Sequence, residues 1–471
     1  MRAHRAALFA LIACLIPYAV LLLGFPASGD QDAAIHAIYS RWPTAPNPAP
    51  FPYRLLTVWS RPLFATLYAV PGQLGYAPMR LFTVLLCAST GWLTYLLARR
   101  LSLPRPWLAV PLTMLQPVLL QVGTDVMTEA LFALVLAAGF LALESGRRLL
   151  AAALWSFLPL ARPEGAIILG VLAALWGFEA LRDRRALLPL LMLGLGAVLW
   201  ELTVLALTGN WRYLLDTFPW PVHGTQWSGP PFHYLLRWPL IVGFAALVPW
   251  LVGLRPSWRA GGTARLSVLF CAVVLVIHAL LFTTGGFAST GFDRYFATLV
   301  TSNALIALTG VAWLEERFPR LRAKALLPAL LGLQAVQGLV LVELQPLSHL
   351  PKATLHAIQE ARSRVELAQP LVASDFFTFV FLDLDPGGSR AKLPVSREGA
   401  LARIAELPTG TVVIWDNLIG QWWYGLATED FTARGYEVLW ERDTALQSSW
   451  LSFASSTPLR QTVLVRRKGP P

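Results

Sequence analysis

Apolar residues arrive along this chain in long blocks rather than in short alternating runs. Eleven blocks occupy about residues 6–24, 79–98, 107–122, 126–143, 148–161, 163–179, 186–208, 237–254, 264–284, 293–313 and 324–343. Most approach the ~20 residues that an α-helix needs to cross the hydrocarbon core of a bilayer. The pattern predicts an α-helical polytopic membrane region with about 11 transmembrane helices over residues 1–345. Pro111 and Pro117 interrupt the third block. The fifth ends near Pro159 and reads as half of a broken or re-entrant pair with the sixth. After Val342 the character changes. Residues 352–368 carry an amphipathic helical pattern, and apolar runs at 370–373, 411–415, 436–440 and 461–465 read as strands, with a helix over 398–406 between them. That mixture predicts a small C-terminal α/β domain over 352–471.

Composition agrees with this division. The chain of 471 residues is 56% hydrophobic and only 14% charged, well below the roughly 25% charge of an average soluble domain. Its net charge of +11 is unevenly placed. From 352 onward 13 basic residues balance 13 acidic ones, so the excess belongs to the membrane region, with 25 basic and 14 acidic residues. Those basic residues sit in short loops between apolar blocks, which argues for topology and against a nucleic-acid partner. With the N-terminus placed inside, 17 of the 25 fall on inside loops, as the positive-inside rule requires. An odd number of spans then carries the tail outside, together with the first loop. The expected location is a cell membrane, crossed many times, with the N-terminus cytoplasmic and the first loop and C-terminal domain extracytoplasmic. The first block follows Arg2 and Arg5 and reads as an uncleaved anchor, because many spans follow it. Cys14, Cys87 and Cys271 all lie inside apolar blocks and read as small core residues.

Acidic residues change the picture most. On the outer side, or close to it, fall Asp30, Asp32, Asp125, Glu129, Glu164, Glu201, Asp216, Asp293 and Glu343, and eight arginines share that side. Charges at span ends need a partner or water, so this distribution describes a polar cavity opening outward. Asp30 and Asp32 stand in the first external loop. In an extended segment they point the same way; in a helix starting there they serve as caps, with Asp32 and His36 one turn apart on one face. Asp125 and Glu129 are also four apart and are expected on one face at the outer end of the fourth span. Arg162-Pro163-Glu164-Gly165 and Asp293-Arg294-Tyr295 each set a cation beside an acid.

The planar fork of arginine matches phosphate oxygens. An arginine at the headgroup level suits a lipid-linked phosphate. No Walker-type cradle and no pair of histidines around a glutamate occurs in the sequence, so nucleotide-driven chemistry is not expected.

Several short motifs, in order, resemble the GT-C superfamily of membrane glycosyltransferases, in particular the bacterial protein O-mannosyltransferase and aminoarabinose transferase group. They are Asp30-Gln31-Asp32, Arg61-Pro62-Leu63, Met79-Arg80-Leu81, Met127-Thr128-Glu129-Ala130-Leu131-Phe132 and Arg162-Pro163-Glu164-Gly165, spread over about 1–345. The resemblance implies inverting transfer of one sugar from a polyprenyl-phosphate-linked donor in the membrane lipid to an extracytoplasmic lipid, glycan or protein acceptor. It implies that Asp30 or Asp32 is the base on the acceptor hydroxyl. Arg162 or Arg294, with Arg61 in reserve, would hold the donor phosphate. Asp125, Glu129, Glu164 and His36 would orient the sugar or the acceptor. Gln31 separates two aspartates where relatives often carry adjacent Asp-Glu, and Arg61-Pro62-Leu63 stands where they often carry His-Pro-Pro. Which aspartate is the base, and whether a divalent cation (Mg or Mn) joins the acidic loop, therefore stay open.

Two other classes compete. A transporter or flippase is expected to show inverted repeats and mid-span charges; here there is no repeat and the charges gather toward one side. An envelope polysaccharide polymerase or ligase is expected to carry its large external loop late in the chain. In the tail, Asp416-Asn417 reads as a strand-end turn, and Trp422, Trp423 and Tyr424 as residues that pack against the membrane domain rather than a sugar platform.

Overall fold

The computed structural model describes residues 2–24, 31–41, 61–213, 228–286, 289–318, 326–343, 350–367, 370–384, 393–394, 396–444 and 459–467. Every expected apolar block is helical where it is described, but the helices are not eleven plain spans. Among the described residues four are long and apolar enough to cross a membrane: Arg2–Leu23, Tyr76–Arg100, Gly262–Thr284 and Asp293–Arg317. Three further pairs qualify together but are bent: Pro117–Gly123 with Thr128–Glu144 by 118°, Arg184–Met192 with Leu195–Thr208 by 43°, and His233–Val242 with Phe244–Ala260 by 114°. Counting each pair once gives up to seven, and Arg148–Ala161, Gly165–Ala180 and Ala329–Val342 are shorter apolar helices. The third expected block is split before Pro117 into Ala109–Met114 and Pro117–Gly123, with Pro111 accommodated in the first turn of the former. Pro has no N–H to donate and cannot sit inside a helix without disturbing it. The outer surface of many helices is apolar, as Leu23, Phe178, Leu181 and Leu191 illustrate, and this is a multi-pass membrane protein.

Contacts divide the chain into two units. The first holds Met1–Leu21, Leu55–Leu67 and Arg80–Val342; the second holds Leu22–Arg54, Tyr68–Met79 and Glu343–Pro471.

Close backbone approach fixes part of the first unit. A Cβ at Gly253 would lie 2.0 Å from the Ile306 carbonyl oxygen, and one at Gly310 would lie 1.8 Å from that of Pro249. Small residues at such a crossing are how helices pack when lipid removes the hydrophobic drive. Buried polar side chains add to this. Asn303 donates to Gln116 Oε1 at 3.2 Å and accepts from Trp250 Nε1 at 3.1 Å, while Gln116 Nε2 donates to the Val300 carbonyl at 2.9 Å.

The second unit contains a four-stranded sheet of β1 (Leu371–Ala373), β2 (Val412–Asp416), β3 (Tyr436–Thr444) and β4 (Leu459–Arg466), in spatial order β1-β2-β4-β3. β1 and β2 are parallel; β2–β4 and β4–β3 are antiparallel, with Ile414 opposite Val463. One face packs on the Leu350–Arg364 helix through Ala357, Ile358, Leu371, Val412, Ile414 and Val463. The other covers Val372, Val413, Trp415 and Leu464 with Ala400 and Ile404 of the Arg397–Glu406 helix. All four strands and both helices lie where the alternation of apolar residues places them.

Candidate functional site

In the first unit the acids and arginines of three separate motifs meet. The Thr128–Glu144 helix begins at Thr128, after a break at residues 124–127. Glu129 is therefore in its first turn and fully buried. Arg162 ends the Leu158–Ala161 helix in extended conformation, and its fork turns back on itself. It donates to Glu164 Oε1 at 2.7 Å and Oε2 at 3.2 Å, and to Thr128 Oγ1 at 2.9 Å, and pairs with Glu129 Oε1 at 2.7 Å. The turn needs Gly165, because a Cβ there would stand 2.3 Å from the Leu158 carbonyl carbon. Arg294 reaches the same carboxylate at 3.9 Å and donates to Met127 Sδ at 3.6 Å. The Tyr295 ring faces both cations, 5.6 Å from Arg162 and 5.9 Å from Arg294. Two guanidiniums and two carboxylates thus balance inside an apolar bundle, where unpaired charges are costly.

The remaining expected residues fall elsewhere. Asp125 is buried, but it sits in the break before the helix and accepts from the Val126 backbone N–H at 2.8 Å. It is thus not on a common helix face with Glu129, because the chain bends by 118° between Pro117–Gly123 and Thr128–Glu144. Arg61 heads the Pro62–Gln73 helix with φ of 43° and is half-buried. Asp32 and His36 lie one turn apart on the Gln31–Ser40 helix, in the second unit. Asp30 lies outside the described residues.

Sequence reading missed several neighbours of the charge cluster. Thr128 and Tyr295 belong to the quoted motifs, but no role was expected of them. His278 is buried in the Gly262–Thr284 helix and stacks on Tyr295 at 5.1 Å; neither ring nitrogen has a hydrogen-bond partner among the described residues. Its signal was an ionisable residue within an apolar block. Arg80, 2% exposed, donates from Nε to the Thr124 carbonyl at 2.7 Å.

The second unit has its own buried acids, Asp375 and Asp416, at the C-terminal ends of parallel strands β1 and β2. Asp375 accepts from Thr378 N at 3.1 Å and from the Thr354 and Thr378 hydroxyls, each at 3.2 Å. Asp416 caps the next segment by accepting from Leu418 N at 2.8 Å, and Ser374 also donates to it. Burial is the main cause that raises both carboxyls; that of Asp375, with the Asp416 charge adding, is pushed up to about 7. Asp416 is thus the strand-end turn residue expected. Trp423 and Tyr424 pack within this same unit, Tyr424 beside Trp415 and Trp423 beside Phe376. No group of three or more His, Cys, Asp or Glu side chains able to hold a metal ion occurs among the described residues.

No family profile matches the chain, and no curated protein matches it in sequence. Solved structures do. ArnT from Cupriavidus metallidurans in the apo state matches with a TM-score of 0.62 at 12% identity, covering 98% of each chain. The same protein bound to undecaprenyl phosphate matches with a TM-score of 0.60 at 11% identity, covering 97% of each. The fold is that of ArnT. The largely helical architecture with a small carboxy-terminal sheet expected from the sequence is therefore one that ArnT shares over nearly its whole length.

Proposed function

We propose that this chain is a membrane glycosyltransferase that moves one sugar from a polyprenyl-phosphate-linked donor to an extracytoplasmic lipid, glycan or protein acceptor. The observation that carries the proposal is the likeness, over nearly the whole chain, to a structure solved with undecaprenyl phosphate. The buried Arg162–Glu129–Glu164–Arg294 cluster supports it, since charges kept inside an apolar bundle mark a functional site.

In this reading Asp30 or Asp32 takes the proton of the acceptor hydroxyl. The acceptor oxygen attacks the anomeric carbon from the face opposite the phosphate, the bond from carbon to phosphate oxygen breaks, and configuration inverts. Asp32 lies in the first turn of its helix, where the dipole favours a negative charge. The phosphate leaves as an anion and needs a cation. Arg294 and Arg162 are both buried in the cluster, and either is a candidate for the phosphate. Arg61 is the reserve. Glu129 and Glu164 hold the arginines in place, and Asp125 and His36 orient sugar or acceptor. The basic inside loops put the N-terminus in the cytoplasm and the acid loop and sheet outside.

The test uses the full chain in lipid nanodiscs, supplied with undecaprenyl-phosphate-linked sugars. Asp30→Asn and Asp32→Asn are measured separately. At least one should abolish transfer while undecaprenyl phosphate still binds, and the product should carry inverted configuration. Full transfer by both variants, or retention of configuration, would sink the reading.

A further inference from the structure

The Gln31–Ser40 helix, which carries Asp32 and His36, has only ten residues. A helix that short is not stable in water on its own propensity. Eight of its residues are nonetheless buried, so it is held by what packs on it. Within the second unit that partner is the Phe377–Leu382 helix, which follows β1 in the carboxy-terminal part of the chain.

The two helices are tied at both ends. Gln31 stands between the two candidate bases and is 2% exposed; its Oε1 accepts from the Phe376 backbone N–H at 2.8 Å. At the other end Arg41 donates to the Val380 carbonyl at 3.0 Å and to Asp383 Oδ1 at 3.2 Å. The bonds are separated by 345 and 339 residues in sequence. The Tyr76 ring packs edge-on against Phe377 and Phe381, at 6.0 and 6.3 Å. The supporting helix is itself fixed to the sheet, since Asp375 accepts from the Thr378 N–H and from the Thr354 hydroxyl.

We propose that the carboxy-terminal domain positions the acid-bearing helix, with Gln31 and Arg41 as the positioning residues that set Asp32. The proposal rests on the transferase reading above. Neither residue needs to touch substrate; each acts through Asp32. The physical reason for such a clamp is the steep dependence of rate on placement. A base displaced by ~1 Å loses about a hundredfold in rate, and a ten-residue helix too short to be stable alone depends on anchors such as these to hold that tolerance. Gln31 suits the position because its neutral amide accepts the bond without adding a charge beside the buried Asp375 carboxyl.

The experiment compares Gln31→Leu, Arg41→Met and Arg41→Lys with the parent, as full chains in nanodiscs. Three quantities are read: amide hydrogen exchange over residues 31–41, affinity for undecaprenyl phosphate, and transfer kinetics. Gln31→Leu and Arg41→Met should speed exchange over 31–41 by about tenfold, as loss of one net hydrogen bond implies. They should lower kcat by about 10- to 100-fold, with KM for the donor and undecaprenyl phosphate affinity unchanged. Arg41→Lys keeps a donor and a charge and should restore part of both losses. Unchanged exchange overturns the proposal, and so does faster exchange with undiminished kcat. Failure of the transferase reading looks different: Asp30→Asn and Asp32→Asn would both retain full transfer, whatever exchange shows.

Discussion

Arg162 and Glu129 meet at 2.7 Å, and the Glu129 carboxylate is wholly buried. They come from elements separated by a helix, and Glu164 completes the fork on the other side at 2.7 Å. Removing one partner leaves the other charge stranded in an apolar bundle, at a cost of about 3–5 kcal/mol. Glu129→Gln and Arg162→Gln are each expected to lower the thermal midpoint strongly in detergent. The double variant should be less damaged than the two singles combined, because the second change removes a stranded charge. Thermal unfolding of the four proteins checks this; simple additivity would contradict it.

Arg294 is only loosely engaged with Glu129, at 3.9 Å. Arg294→Ala is therefore expected to weaken undecaprenyl phosphate binding by about 10- to 100-fold, the value of a hydrogen bond to a charged group. Arg162→Ala should cost more in stability than in affinity. Titration of the lipid phosphate against both variants, with unfolding measured in parallel, separates the roles; equal affinities for Arg294→Ala and the parent would remove Arg294 from the site.

Asp375 gives a pH dependence with a definite sign. Its carboxyl, raised by burial, releases its proton at about pH 7 in the folded chain but near 4 in the unfolded one. The folded state thus holds more protons between those values, and stability falls as pH rises from about 4 to about 7. Asp375→Asn keeps an acceptor for the Thr378 N–H and cannot ionise. It should be more stable than the parent at about pH 8, with the gap narrowing toward pH 4. Melting of the full chain across that range reads it out; a parent curve that rises with pH in this window would contradict the assignment.

Two glycines offer a packing test. Gly310→Ala would place a Cβ 1.8 Å from the Pro249 carbonyl, so backbone must move, and a loss of about 1–3 kcal/mol is expected. Gly332 has nothing within 4 Å of its would-be Cβ, and Gly332→Ala should cause no loss. The difference in melting midpoint between the two variants decides the point.

How much of this was legible in sequence depends on the kind of signal. The sheet was readable strand by strand, because Val412, Ile414 and Val463 alternate with residues of the opposite face. The helical blocks were readable too, but not their breaks. A window of apolar residues says nothing of the 118° bend between Gly123 and Thr128, which takes Asp125 off the helix of Glu129. Glu129, Arg162, Glu164 and Arg294 were all singled out singly; their convergence was not visible, since no local pattern encodes contacts across 33 or 165 residues. His278 escaped because one polar residue scarcely alters the mean of an apolar block.

The hydrogen bond from Phe376 to Gln31 also has a consequence for biogenesis. Gln31 leaves the ribosome 345 residues ahead of Phe376. At ~5–20 residues per second this is a wait of roughly 20–70 s. Throughout that interval the acid-bearing helix has been made but lacks its bond to Phe376, so a nascent chain holds that contact unmade until the strand β1 region has followed. The helix that carries Asp32 reaches its final packing only late in synthesis.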